Sequence, residues 1–401
     1  MKNSALRSRL PARSAWLIPL LGALVAFAPL SIDMYLPALP AIAREFGADA
    51  GAAQFTLAAY FIGMAFGQGF YGPLSDRFGR KPPLFVGLAL YTLASAGCAL
   101  APDIEALYAW RFLQALGGCA GIVIPLAIVR DLHSQQDAAR ALSRLVLVMG
   151  VAPMLAPLAG AQLLDAWGWR SIFWILAGCG LSGLIAIRFM LAESLDARHA
   201  QSASVRQALR TYAGLLADRR YLGFGLAGSF ASAGMFAYIA GSPFVLMELH
   251  RVSPQAYGWI FGVNACGLIA ASQLNHRLLA ARDAGQILNA ALMALAAAGL
   301  LLLLAAYGFL PALPGLLLPL FGFVALLGFI GPNSSAGAMA GHAQRAGSAS
   351  ALLGTVRFGA ASAAGAAVGA LNDGTAHAMG AVMAVCGAAA LMSYRMLVRR
   401  P

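Results

Sequence analysis

The sequence predicts an all-α membrane protein with twelve transmembrane helices, arranged as two six-helix bundles related by pseudo-two-fold symmetry. Three observations carry this. Of 401 residues, 60% are apolar and only 10% charged, against roughly 25% charged in a soluble domain. Apolar runs recur at 16–36, 52–71, 83–101, 106–129, 141–164, 171–191, 221–245, 256–275, 286–307, 312–334, 349–371 and 376–396, each long enough for a hydrocarbon layer of about 30 Å. A shift of about 204 residues lays the first six runs on the last six, with the longest polar stretch between them. The expected units are 1–192, a linker over 193–218, and 219–401.

The first run follows a basic start, "MKNSALRSR", and contains the small triplet Ala26-Phe27-Ala28, which imitates a cleaved signal. Pro29 directly after the triplet argues against processing, so the run reads as the first helix. It ends in "LSIDMYLPALP", where Asp33 lies inside the apolar stretch and Pro37 and Pro40 break the helix near its mouth. Tyr35, between them, is a candidate cavity residue.

Between the second and third runs stands "GPLSDRFGRK", residues 72–81. Gly72 and Pro73 are expected to end a helix, Asp76 to accept from helix-end N–H groups, and Gly79 to turn the chain. Arg77, Arg80 and Lys81 add positive charge at one membrane face. The corresponding loop of the second half, "LNHRLLAARDAG", keeps Arg277, Arg282 and Asp283 but not the glycines, and is a degenerate copy.

The fourth run holds Arg111, with Gln114 one turn on and Gly117, Gly118 and Gly121 forming a smooth face for close helix contact. An ionisable residue inside a span is a functional candidate by default. At 1.5 Å per residue, Asp33 lies roughly 6 Å below Pro37 and Arg111 roughly 9 Å below Glu105. Both are therefore expected to face a central cavity at similar depth, within reach of one another directly or through water or substrate. A carboxylate there that alternates between dry and wet surroundings can exchange a proton. The fifth run concentrates Gly150, Pro153, Pro157 and Gly160, which should bend it. In the second half the polar candidates are Tyr238, Ser242, Asn264, Asn333 and Arg357, the last near the midplane with no acid at its depth in that half.

Charge placement fixes an expected topology. The chain has 27 Lys and Arg. With Met1 inside, 22 of these fall on inner segments, while outer loops hold only Arg44, Arg170 and Arg251, which predicts cytoplasmic N- and C-termini. The net charge of +12 is thus a topology signal and not a nucleic-acid footprint. Five cysteines scattered through apolar runs suggest neither disulfides nor a metal site. "HSQQD", 133–137, is the cheapest support for an embedded transferase, but no second catalytic cluster accompanies it.

The G-x-L-x-D-R-x-G-R-K loop resembles the signature of the major facilitator superfamily, over the whole chain. In that family the loop latches the two halves, which would give Asp76 and Arg77 a gating role. The fifth run is similar to the motif of drug/proton antiporters, with Ala161 in place of a last glycine. Together with "SIDMYLPALPAIA", "RFLQALGG", "AYIAGSPFVL" and "FGVNACGLIAASQLN", the chain looks like the bicyclomycin-resistance and chloramphenicol/florfenicol exporter (Bcr/CflA) family. The resemblance implies a bacterial inner-membrane exporter of small amphiphilic compounds, working as a monomer, driven by protons and needing no other cofactor. Related exporters carry a second acid before Asp33, absent here, and many have Gln where Arg357 stands. The rival on the same fold is a proton-coupled metabolite exporter or importer.

Overall fold

The structure, a computed structural model, describes residues 16–195, 205–342 and 345–398. The basic start, Arg399, Arg400 and the middle of the linker lie outside the described residues.

The first span is α1 (Leu17–Asp33), a 3-10 turn (Leu36–Ala38) and a short α2 (Leu39–Glu45). The break falls where expected, because Pro37 and Pro40 lack the N–H that helix continuation needs and each opens the next turn. There follow α3 (Ala50–Phe78), α4 (Lys81–Ala99), α5 (Ile104–Leu132), α6 (Gln135–Trp167) and α7 (Arg170–Met190). The linker carries α8 (Val205–Ala217). The second set is α9 (Arg219–Ser242), extended as a π-helical segment (Pro243–Leu249), then α10 (Pro254–Leu278), α11 (Ala284–Ala306), α12 (Ala312–Met339), α13 (Ala346–Ala370) and α14 (His377–Leu397). Side chains of Asp49, Asp103, Ser134, Asp218, Ser253 and Asp283 cap the helices that follow them. The His133 to Asp137 string is accordingly a two-residue break between helices, with Ser134 capping α6 and Gln135 to Asp137 in its first turn.

All twelve expected runs are helical, and eleven of them, among the described residues, are both long and apolar enough to cross a membrane. The remaining run, α10, has 25 residues and the length to span, but Gln255, Asn264, Gln273, Asn275 and His276 make it more polar. Three of these polar groups are satisfied by other helices: Gln255 by Asp165, Asn264 by Tyr238 and Asn275 by Asn333. One expectation needs correction: Gly72 and Pro73 do not end α3. The helix runs through Pro73 to Phe78 and stops at Gly79, whose φ of +89° suits glycine. Pro73 removes the N–H that would bond the Gly69 carbonyl, and Tyr212 of α8 donates its hydroxyl to that carbonyl at 3.4 Å.

The two sets meet along two seams, α3 against α13 and α6 against α10. By the repeat, α3 corresponds to α10 and α6 to α13, so the pseudo-two-fold carries one seam onto the other. The first seam is built from small residues. A Cβ on Gly51 would lie 2.4 Å from the Gly369 carbonyl oxygen. Ser362 Oγ donates to Ala58 O at 2.9 Å and Thr355 Oγ1 to Ala65 O at 3.2 Å.

Candidate functional site

Asp33 closes α1 at the boundary between the sets and is 4% exposed. Among the described residues it makes no hydrogen bond or ion pair. The groups in electrostatic range of its carboxylate are the hydroxyls of Tyr60 in its own set and of Tyr238 and Tyr257 in the other. Those two tyrosines belong to a neutral cluster. Asn264 Nδ2 donates to Tyr238 Oη at 3.0 Å, Ser242 Oγ and Tyr257 Oη are 3.0 Å apart, and the Tyr238 ring stacks on Phe261 at 5.6 Å.

Arg111 does not pair with Asp33, contrary to expectation. It is fully buried inside the first set. Its Nη1 donates to Ser31 O at 3.0 Å and to Gln114 Oε1 at 2.6 Å, while Gln114 Nε2 donates to Ser95 Oγ at 2.8 Å. Nε and Nη2 have no hydrogen-bond partner among the described residues. The guanidinium instead lies 4.6 Å from the Tyr35 ring centre, 4.3 Å from Tyr60 and 5.7 Å from Phe173. Three ring faces and neutral acceptors supply what a counter-ion would, so one arginine ties together α1, α3, α4, α5 and α7. Tyr35, whose hydroxyl meets Thr56 Oγ1 at 2.8 Å, and Gln114 are walls of this cage and not of a shared cavity.

The remaining second-set candidates divide. Asn333 Nδ2 donates to Asn275 Oδ1 at 2.8 Å and to Phe329 O at 2.9 Å, a helix-to-helix link. Arg357 is half-buried, twelfth of the 25 residues of α13 and so near its middle. Among the described residues it has no hydrogen bond, ion pair or ring partner.

At the face carrying the chain termini, Arg80 is the hub. Its Nη1 donates to Asp76 Oδ1 at 2.5 Å and to Ser75 Oγ at 2.8 Å, and its Nε to Asp131 Oδ2 at 2.7 Å. Burial works against the Arg80 charge, but the bonds to Asp131 and Asp76 outweigh it and raise its pKa. Glu193 accepts from Arg80 N at 2.8 Å and Lys81 N at 3.0 Å, taking the place at the α4 N-terminus expected of Asp76. Lys81 Nζ donates to Leu191 O at 2.6 Å. Among the described residues, the hydrogen bonds of Asp76, Arg80 and Lys81 stay within the first set and the start of the linker, and none reaches the second set. Arg77 takes no part: it is exposed, with its guanidinium 5.1 Å from the Phe78 ring.

Helix α6 joins the second seam to the first span. One row, Gly150, Met154 and Leu158, faces Ile269, Gly262 and Gly258 of α10. On another side a Cβ at Gly160 would lie 2.0 Å from Met34 O, so glycine lets α6 touch the chain just past Asp33. Pro153 and Pro157 sit inside the helix between these contacts. At the far face, away from the termini, the sets are latched by Arg44 and Glu248 at 2.7 Å and by Gln255 on Asp165. Sequence reading missed Tyr257, Glu193, Asp131 and the Arg44 to Glu248 pair. Only the last left a signal, as opposite charges next to corresponding helix breaks in the two halves.

The profile of the Major Facilitator Superfamily matches residues 21–366. A bicyclomycin resistance protein homolog of Haemophilus influenzae is 30% identical over 383 residues, 95% of each chain. An uncharacterized MFS-type transporter, YdgK of Bacillus subtilis, is 35% identical over 84% of each, and the multidrug resistance protein MdtL of Escherichia coli is 33% identical over 61% of each. Among solved structures, an inward-facing bacterial homolog of the lysosomal transporter Spinster superposes with a TM-score of 0.73 at 16% identity, covering 97% of this chain and 98% of that one. A D-xylose-proton symporter gives 0.72 at 15%, covering 95% and 96%.

Proposed function

The chain belongs to the major facilitator superfamily, and we propose that it is a proton-driven efflux transporter that exports small amphiphilic compounds by alternating access. The names of relatives, a bicyclomycin resistance protein homolog and a multidrug resistance protein, support export of drug-like molecules. The observation that carries proton coupling is the setting of Asp33: a buried carboxylate without a partner, at the junction of the sets, facing hydroxyls of the opposite set. Moving the sets apart at one face and then the other changes the water around that carboxylate, and with it the ease of binding a proton. Substrate and proton then take turns at the same junction.

In this reading the face carrying the termini is cytoplasmic and the membrane is a bacterial inner membrane, which the positive-inside bias supports. The polar latches at the far face, Arg44 on Glu248 and Gln255 on Asp165, support a state closed to the outside. Arg80, Asp76, Asp131 and Glu193 act as a rigid clasp that moves the first set as one body, with Asp76 in the gating role. Each chain holds a complete pathway and works as a monomer. Arg357, an unmatched cation near the midplane, opposes Asp33 electrostatically and favours neutral or zwitterionic compounds over cationic lipophiles.

The test uses inverted membrane vesicles with a preset, acid-inside gradient. Antiport predicts that adding a transported compound releases protons from the lumen. Proton uptake with the compound would instead mean symport, and no proton movement with any transported compound would end the coupling claim.

A further inference from the structure

The motif residue that the mechanism leaves unused is Arg77. It stands at the end of a deep apolar groove between α3, α4 and α5, of about 570 Å³, floored by Phe66, Phe70, Phe78, Pro83, Val86 and Phe112. Phe70, Phe78 and Val86 are each more than half exposed, so the groove opens sideways to the bilayer. Its length follows from α3. Phe66 and Phe78 are twelve residues apart, about 18 Å along the helix, which is close to half of a hydrocarbon layer of about 30 Å. At the midplane end the Phe66 and Phe112 rings close it edge to face, 6.1 Å apart. At the terminal-face end Phe78 carries the Arg77 guanidinium over its ring.

We propose that this groove is a binding site for one anionic phospholipid of the leaflet at the terminal face, with an acyl chain along the aromatic floor and the phosphate on Arg77. The groove is one leaflet deep, which fits a chain entering from that side and excludes a continuous path through the bilayer. Its lining residues carry no charge, and the Arg77 guanidinium lies beside Phe78 at the end where the headgroup would lie. The guanidinium is free to take a phosphate, because Arg77 has no hydrogen bond or ion pair among the described residues. Arg80 and Lys81, three and four residues on, are by contrast committed to protein acceptors. The site needs only that the chain spans a membrane, so its failure and a failure of the export reading are separate results.

The experiment is native mass spectrometry of the purified full chain with equal amounts of phosphatidylglycerol and phosphatidylcholine bearing identical acyl chains. The wild type is expected to retain phosphatidylglycerol preferentially, and Arg77→Gln to lower the ratio about fivefold, as for one basic contact at a membrane surface. Val86→Trp, at an exposed position, should plug the groove and reduce retention of both lipids. An unchanged ratio in Arg77→Gln, or unchanged retention in Val86→Trp, overturns the proposal. So does ready disulfide dimerisation of Val86→Cys in native membranes, which would give the groove to a second copy of the chain.

Discussion

The two helix sets share a fold and differ in what they bury. The first set buries charge and surrounds two of its arginines with its own side chains, in the Arg111 cage and the Arg80 hub. The second is held by neutral groups, Asn264 on Tyr238, Ser242 with Tyr257 and Asn333 on Asn275, and leaves the midspan cation Arg357 unmatched among the described residues. Charged networks are costly to break halfway, because a stranded buried charge is worse than none. Neutral amide and hydroxyl pairs are each worth only about 1 kcal/mol net and exchange partners readily. The first set is thus suited to move as a rigid lever, and the second to adapt around what is carried. Asp33 lies between them.

The comparison can be broken at several points. Asp33→Asn should abolish uphill export while leaving downhill exchange measurable in the same vesicles; wild-type accumulation against a gradient would place the proton carrier elsewhere. Arg111→Ala should cost roughly 3–5 kcal/mol of stability, a large-to-small core change that also opens the Gln114 network, read as a lower melting temperature in detergent. Asn264→Ala, its counterpart in the adaptable set, should cost about 1 kcal/mol. Equal losses from the two would erase the distinction between lever and adapter.

Asp76→Ala removes one of the two acids on Arg80 and should slow turnover several-fold with substrate affinity nearly intact. A large affinity loss at constant turnover would remove its gating role. Arg357→Gln should relax discrimination against cations, measured as relative efflux of matched neutral and cationic compounds at equal expression; a constant ratio would mean that this arginine does not sense the cargo.

The smallest effect concerns Asp218, the cap of α9. Backbone N–H groups, that of Tyr221 foremost, and His342 hold its pKa below the ordinary 3.8. A depressed carboxylate contributes stability above its unfolded-state value and loses it as the pH falls through the folded one. Melting in detergent should therefore show no contribution from Asp218 titration between pH 5 and 8, a window well above 3.8. The difference between wild type and Asp218→Asn should shrink only in stronger acid.

The pattern of apolar runs was enough to read the spans, because burial in lipid imposes length and composition on every one of them. Placement along the chain was legible too: Asp33 and Arg111 do fall within long apolar helical stretches. Direction around the helix was not. Arg111 turned inward because aromatic residues from three other segments, remote in sequence, converge on it. Pro73 misled for a related reason: α3 runs on past it, and the carbonyl it leaves without a main-chain donor finds one far along the chain, at Tyr212.

The hydroxyl contacts of the α3 to α13 seam bear on how the halves come apart. Ser362 and Thr355 donate to carbonyls in the interior of α3, at Ala58 and Ala65. When the helices separate, each hydroxyl can swing back to a carbonyl of its own helix, one turn earlier. The carbonyls it leaves keep the main-chain bonds of α3. Parting therefore orphans no donor and requires no water to enter the seam first. The joint behaves like a fastener whose teeth fold away on release, as free to open in the oily middle of the bilayer as at its wet ends.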